Sequence, residues 1–398
     1  MALCNGWAAR KLFNLHRIGQ AHQHLTIKNF KVLPLLRQTV TSAEIGSRIL
    51  RPQKVVGWWL AGCCGLTFGM VAVGGVTRLT ESGLSMVDWH LIKGMKPPTT
   101  HEEWTKEFEK YQEFPEFKIL NHNMTLNEFK AIWHMEYGHR MLGRFMGLIY
   151  FLPLAYFLKK GWIDRRLKIR TGILGGLLVF QGLLGWYMVK SGLQDRFEET
   201  DVPRVSQYRL AAHLGSAFVF YSGLMWCTLG QLLPTKYIEH TKAVRKLRMV
   251  AHSTKGLVFI TALSGAFVAG LDAGLTYNSY PKMADRWIPT DILTFSPKWK
   301  NFFENPTTVQ FDHRLLGHTT LAMVTYTWWL ARKTPGLQGR TILATNCMMG
   351  MGAIQVLLGI STLLTYVPTS LAALHQSGSL TLLSFAIWLT HELRRLPK

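Results

Sequence analysis

Cysteine is scarce in this chain of 398 residues, and acid is much scarcer than base. The five cysteines (Cys4, Cys63, Cys64, Cys227, Cys347) form no CxxC or CxxCH pattern, which leaves zinc ribbons and covalently attached c-type haem without support. Four of the five fall in apolar runs, where cysteine serves as a small buried residue. Against 45 Lys and Arg there are 23 Asp and Glu, and residues 1–43 contain no acid at all. That N-terminal stretch carries Arg10, Lys11, Arg17, Lys28, Lys31 and Arg37 among apolar and small polar residues but has no compact apolar core. A secretory signal is thereby disfavoured, and residues 1–45 read as a mitochondrial presequence with a basic N-terminal segment, the alternative being a disordered basic cytosolic tail.

What the chain has in abundance is long apolar runs. They recur at about 55–77, 141–158, 171–190, 210–233, 251–271, 315–331, 342–366 and 370–390, most of them near the ~20 residues that cross a bilayer. The expected fold is therefore an all-α integral membrane protein with eight transmembrane helices. The net charge of +22 does not imply nucleic acid, because its distribution follows the spans. The N-terminus to Lys54, the linkers 159–170, 234–255 and 332–340, and the tail from Glu392 hold 27 of the Lys and Arg but only 4 of the acids. This is the positive-inside pattern, and it predicts both termini on the basic side, the matrix of a mitochondrion.

The second half of the membrane region repeats the first. Gly69–Gly74 resembles Gly265–Gly270, His139-Arg140-Met141-Leu142-Gly143 resembles His313-Arg314-Leu315-Leu316-Gly317, and Gln181–Gly185 resembles Gln355–Gly359. The interval from His to Gln is 42 residues in both halves. A weaker anchor sets Leu210–His213 against Leu371–His375. Four spans per half give the halves one orientation, so the expected architecture is two tandem, pseudo-two-fold related four-helix bundles, 46–235 and 236–398.

In an up-and-down bundle the second and fourth helices stand diagonally, which pairs His139 with His213 and His313 with His375. Two facing imidazoles without cysteine suit axial ligation of haem iron, and two such sites are expected. Any one histidine at a membrane edge is more often bonded to interfacial water, but four at matched positions of a repeat favour function. Arg140, Arg144 and Arg314 beside them read either as contacts for haem propionates or as side chains reaching the interface. The halves differ at one position: Glu136 lies three residues before His139, whereas Gln310 precedes His313. A carboxylate near a haem edge can act as general base or stabilise developing positive charge. A di-iron carboxylate site would need a second such Glu, and Gln310 stands there instead.

Taken together, Thr77–Met86, Glu136-Tyr137-Gly138-His139-Arg140, Gln207–His213, Asn278–Lys282 and Phe311–Arg314 resemble the eukaryotic haem A synthases from about Arg51 to the end of the chain. The resemblance implies that Glu136 is catalytic, that haem O is substrate at His139 and His213, and that haem B is held at His313 and His375. It also implies successive hydroxylations of a haem O methyl to the formyl of haem A, in the mitochondrial inner membrane, for cytochrome c oxidase assembly. Implied partners are a ferredoxin-type electron carrier on the matrix side, haem O synthase, oxidase assembly factors and further copies of the chain. Bacterial relatives often carry a cysteine pair in the first outer loop, and residues 78–135 have none. The rival classes are a di-haem electron-transfer cytochrome and a haem transporter or chaperone. The first gives no reason for a carboxylate at one site alone, and the second would use one histidine pair only transiently.

Overall fold

The computed structural model describes residues 42–90, 96–194, 204–234, 238–239, 241–337 and 339–394, with side chains from Gln53 onward. The side chains of the expected presequence lie outside that range. Contacts divide the chain after Ile49. Before that point only the helical backbone of residues 42–49 is described, and the packed helices belong to the unit from Leu50.

The elements are α1 (Ser42–Leu79), α2 (His101–Gln112), α3 (Pro115–Ile119), α4 (Leu126–Lys159), α5 (Arg165–Gln194), α6 (Gln207–Leu232), α7 (Lys242–Gly270), α8 (Asn301–Glu304), α9 (Pro306–Lys333), α10 (Gly339–Leu364) and α11 (Thr369–Glu392). Short 3₁₀ turns lie at Ala273–Leu275 and Lys298–Lys300. Six helices are long and apolar enough to cross a membrane: α1 from Gln53, α4, α5, α6, α7 and α10. The helices α9 and α11, which match the sixth and eighth apolar runs, are outside that group. Their polar content explains it, since α9 carries Asp312, His313, Arg314 and His318, and α11 carries His375, Gln376, His391 and Glu392.

The two helices that carry the first histidines start well before their apolar runs. Thr125 caps α4 through a capping box with Glu128, and Asn305 caps α9 by accepting from the Thr307 and Thr308 amides, with Pro306 in the first turn. Glu136, His139 and His313 therefore lie within helices rather than opening them. Glu136 is more than two turns inside α4, beyond the reach of the terminal dipole.

In lipid, helices gain little from apolar contact with one another, so small residues and side-chain hydrogen bonds hold them. Between α7 and α9, Thr254 and Thr327 meet at 2.7 Å, as do Thr261 and Thr320. The Trp59 indole of α1 donates to the Ile149 carbonyl of α4 at 2.8 Å, and Tyr221 of α6 meets Ser384 of α11 at 2.7 Å. Helix α7 packs on α9 and α11, and α10 packs on the same two. In the first half α5 packs on α4 and α6, while α1 meets α4 through Trp59 and α6 where Gly57 lies against Leu232. The halves join along α6, α7 and α11, and where Gln376 of α11 donates to the Val71 carbonyl of α1 at 2.8 Å. At one end Arg78 and Arg204 both bond Asp272, each at 2.8 Å. Asp272 has φ of 51°, a left-handed backbone that stops α7 and turns the chain into the loop before α9. Cys63, Cys64 and Cys227 are buried among these helices as free thiols, and Cys347 is half-buried.

Over the first half sits a separate cap. Met86, Trp104, Tyr111, Phe129 and Trp133 form a small apolar core, with Phe108 and Phe117 packed against it. The aromatic spacing of residues 101–133 is what folds this loop, and it ends directly above Glu136.

Candidate functional site

Each of the four paired histidines rests against a glycine of a neighbouring helix. A Cβ at Gly74 of α1 would lie 3.0 Å from His139 Cε1, and one at Gly185 of α5 would lie 3.2 Å from His213 Cε1. In the second half Gly265 of α7 stands in the same relation to His313 at 3.3 Å, and Gly359 of α10 to His375 at 2.8 Å. Any side chain at these positions would push the ring away, so the glycines are required by close approach and not by backbone angle.

These contacts correct one anchor of the repeat. Spacing alone pairs Gly69 with Gly265, but the histidine seats pair Gly74 with Gly265. The loops agree with the corrected register. Arg140 donates to the Met86 carbonyl at 2.7 Å and the Asp88 carbonyl at 2.9 Å. Arg314 donates to the Tyr277 and Ser279 carbonyls at the same 2.7 and 2.9 Å. Met86 matches Tyr277, and Asp88 matches Ser279, by the same displacement that relates Gly74 to Gly265.

The second pair has its rings at right angles, 88°, with centroids 6.3 Å apart. Two metal–imidazole bonds of roughly 2 Å, extended by the ring radii, ask for a separation of about 6 Å, so the pair fits a metal held between its Nε2 atoms. A planar tetrapyrrole fits that donor set, because among the described residues no three His, Cys, Asp or Glu side chains gather to complete a purely protein site. Nδ1 of His139 and Nδ1 of His213 are buried without a hydrogen-bond partner.

Glu136 is 3 % exposed, and its carboxylate accepts three hydrogen bonds. Ser85 Oγ at 2.9 Å and the Met86 amide at 2.7 Å reach Oε2, and Arg140 Nη2 reaches Oε1 at 2.6 Å. Gln310 makes the neutral version: its Oε1 accepts from Arg314 at 3.0 Å, and its Nε2 donates to the Ala273 carbonyl at 2.7 Å. Both positions thus clamp the preceding loop to the histidine-bearing helix, and only the first does so with charge. Arg140 and Arg314 each commit three N–H contacts to these clamps, while Arg144 donates to the His90 carbonyl at 2.8 Å. His134 and His318, which the repeat leaves unmatched, bond carbonyls of their own helices, both at 2.6 Å.

Sequence reasoning missed four residues near the sites. Ser85 and Ser264 carry no pattern of their own, although Ser264 precedes a seat glycine. Gln376 adjoins His375, and Glu116 lies in the cap. Glu116 is buried, with Oε2 unpartnered. Its burial, followed by the charge of Glu136, pushes its carboxyl up to about 8.

Residues 57–387 match the family model described as "Cytochrome oxidase assembly protein", COX15-CtaA. The chain is 63% identical over 346 residues to "Heme A synthase COX15" of Bos taurus, covering 87% of this chain and 84% of that one. It is 40% identical over 397 residues to "Heme A synthase COX15" of Saccharomyces cerevisiae, covering 91% and 80%. "Heme A synthase" of Nitrosospira multiformis is 46% identical over 358 residues, covering 90% of this chain and 99% of that one.

Proposed function

The chain belongs to the COX15-CtaA family of cytochrome oxidase assembly proteins and is a haem A synthase, an enzyme that oxidises haem O to haem A; on that premise we propose how its two halves divide the work. The first half, with His139 and His213, takes haem O as substrate and releases haem A. The second half, with His313 and His375, holds haem B, which supplies one-electron transfer when bound. The observation that carries this assignment is the single carboxylate at Glu136 where the other half has Gln310.

Within the first site the chain's own groups have distinct tasks. His139 and His213 orient the substrate through its iron, and their glycine seats fix where the rings stand. Glu136 presents fixed negative charge under the cap, where low dielectric magnifies it, and so stabilises cationic character as the methyl is oxidised. Proton abstraction is the less favoured role, because one of its three donors would have to let go first. The cap core above keeps water away from that carboxylate. Arg140 and Arg314 hold the loops, which leaves propionate binding to their remaining N–H groups and to Arg144.

The architecture that goes with this function is two tandem four-helix bundles of eight spans in the mitochondrial inner membrane, with both termini in the matrix. The six apolar helices and the basic linkers support it. Electrons pass to or from a ferredoxin-type carrier on the matrix side, and contacts with haem O synthase, assembly factors and other copies of the chain follow from the shared substrate. The test is the haem content of purified wild type and of His139→Ala, His313→Ala and Glu136→Gln. Haem B lost only with His313, haem O lost only with His139, and haem O retained without haem A in Glu136→Gln uphold the assignment. Two haem B per chain in wild type and in Glu136→Gln would make it a di-haem cytochrome and refute it.

A further inference from the structure

A substrate site must let its product go, whereas a cofactor site must keep its occupant. The two sites differ in the group that stands behind their first histidine. Ser264 Oγ donates to the Thr261 carbonyl at 2.7 Å and lies 2.7 Å from His313 Nδ1. With its proton spent on the carbonyl, the hydroxyl offers the ring a lone pair. That fixes the tautomer with Nδ1–H and leaves Nε2 open to a metal.

In the corrected register the residue matching Ser264 is Val73, immediately before Gly74. Valine offers no acceptor, and Nδ1 of His139 is buried with no hydrogen-bond partner. The second histidines also differ in their surroundings. Gln355 Nε2 donates to the His375 carbonyl at 2.7 Å and lies 3.1 Å from its Nδ1. Gln181 reaches only the His213 carbonyl, at 3.0 Å, and Nδ1 of His213 is unpartnered.

Resting on the site assignment above, we propose that residues 73 and 264 are positioning residues that set which haem is exchangeable and which is retained. Outer hydrogen bonds to a ligating imidazole fix its orientation and raise its basicity, and losing one costs roughly 10–100-fold in metal affinity. Ser264 gives the second site that bond. Val73 withholds it from the first, so the substrate haem is held by rings that bind iron more weakly and turn more freely.

The test is haem transfer from purified holoprotein to excess apomyoglobin, with each haem identified by chromatography, in wild type, Ser264→Val, Ser264→Thr, Val73→Ser and His313→Ala. Ser264→Val is expected to speed haem B loss by roughly 10-fold or more and to raise its reduction potential. Ser264→Thr, which keeps the hydroxyl, should match wild type in both. Val73→Ser should slow the loss of haem O and haem A and leave haem B unchanged. If Ser264→Val and Val73→Ser exchange both haems at wild-type rates while His313→Ala lacks haem B, the tuning is refuted and the site assignment stands. If His313→Ala keeps haem B, the assignment falls and the proposal with it.

Discussion

Replacing Glu136 with Gln changes one atom, and its cost can be worked from the clamp. The new Oε1 can still accept from Arg140, as Gln310 does from Arg314 at 3.0 Å. The new Nε2, however, meets the Met86 amide donor that Oε2 accepted at 2.7 Å, and nothing in the clamp takes that N–H instead. An unpaired buried donor costs about 1–3 kcal/mol, and the lost charge on a buried pair adds to it. A total of about 3 kcal/mol shifts the balance between clamped and released loop by roughly a hundredfold. In Glu136→Gln we therefore expect hydrogen exchange at Met86–Asp88 to accelerate on that scale, and haem O to accumulate without haem A in chromatograms of the purified protein. Ser85→Ala is the control. It removes one donor at 2.9 Å and keeps the carboxylate, so it should loosen the loop by about 1 kcal/mol and still make haem A. Wild-type haem A formation by Glu136→Gln would refute the electrostatic role. Complete loss in Ser85→Ala would show that the clamp, not the charge, is what the reaction needs.

Three further outcomes can be checked. The Glu116 carboxyl, raised from 4.5 to about 8, withholds stability as pH rises, because the unfolded chain ionises first; the cap should weaken between about pH 4.5 and 8, by roughly 3 kcal/mol at pH 7. Melting curves of wild type should fall more steeply across that range than those of Glu116→Gln, and parallel curves would contradict the burial argument. Gly359→Ala places a methyl 2.8 Å from His375 Cε1 and should lower haem B content and alter its low-spin spectrum, more than Gly185→Ala at 3.2 Å affects the first site. Asp272→Ala removes two partly exposed ion pairs, each worth up to about 1 kcal/mol, and its lower melting temperature should approach that of wild type as salt is added.

The apolar runs of α5, α7 and α10 are legible in the sequence because a span is a long signal. The histidine pairs are legible because the repeat writes them twice. The first turns of α4 and α9 are not, since their polar residues precede the apolar runs and give no signature of a span. Phe129 and Trp133 sit on the cap side of α4 and look like loop aromatics until a fold surrounds them. The pairing of Gly69 with Gly265 goes astray because two small residues five apart match many helices, whereas the contact of Gly74 with His139 is made by residues 65 positions apart in sequence. The asymmetry at Glu136 can be seen in one dimension. That between Val73 and Ser264 cannot, because it depends on which ring nitrogen lies behind which helix.

The adjacent glycines of α1 carry one last consequence. Gly74 makes room for His139 of its own half, and Gly75 makes room for Gln376, the neighbour of His375 in the other half. Successive residues of a helix point about 100° apart, so α1 looks toward both halves within a rise of ~1.5 Å. The spacing between the His139 seat and the Gln376 contact is consequently a property of helix geometry. An insertion or deletion in this part of α1 would turn one glycine away from its partner while the other stayed engaged. Substitutions in the two halves should therefore fail to add wherever they act through this helix.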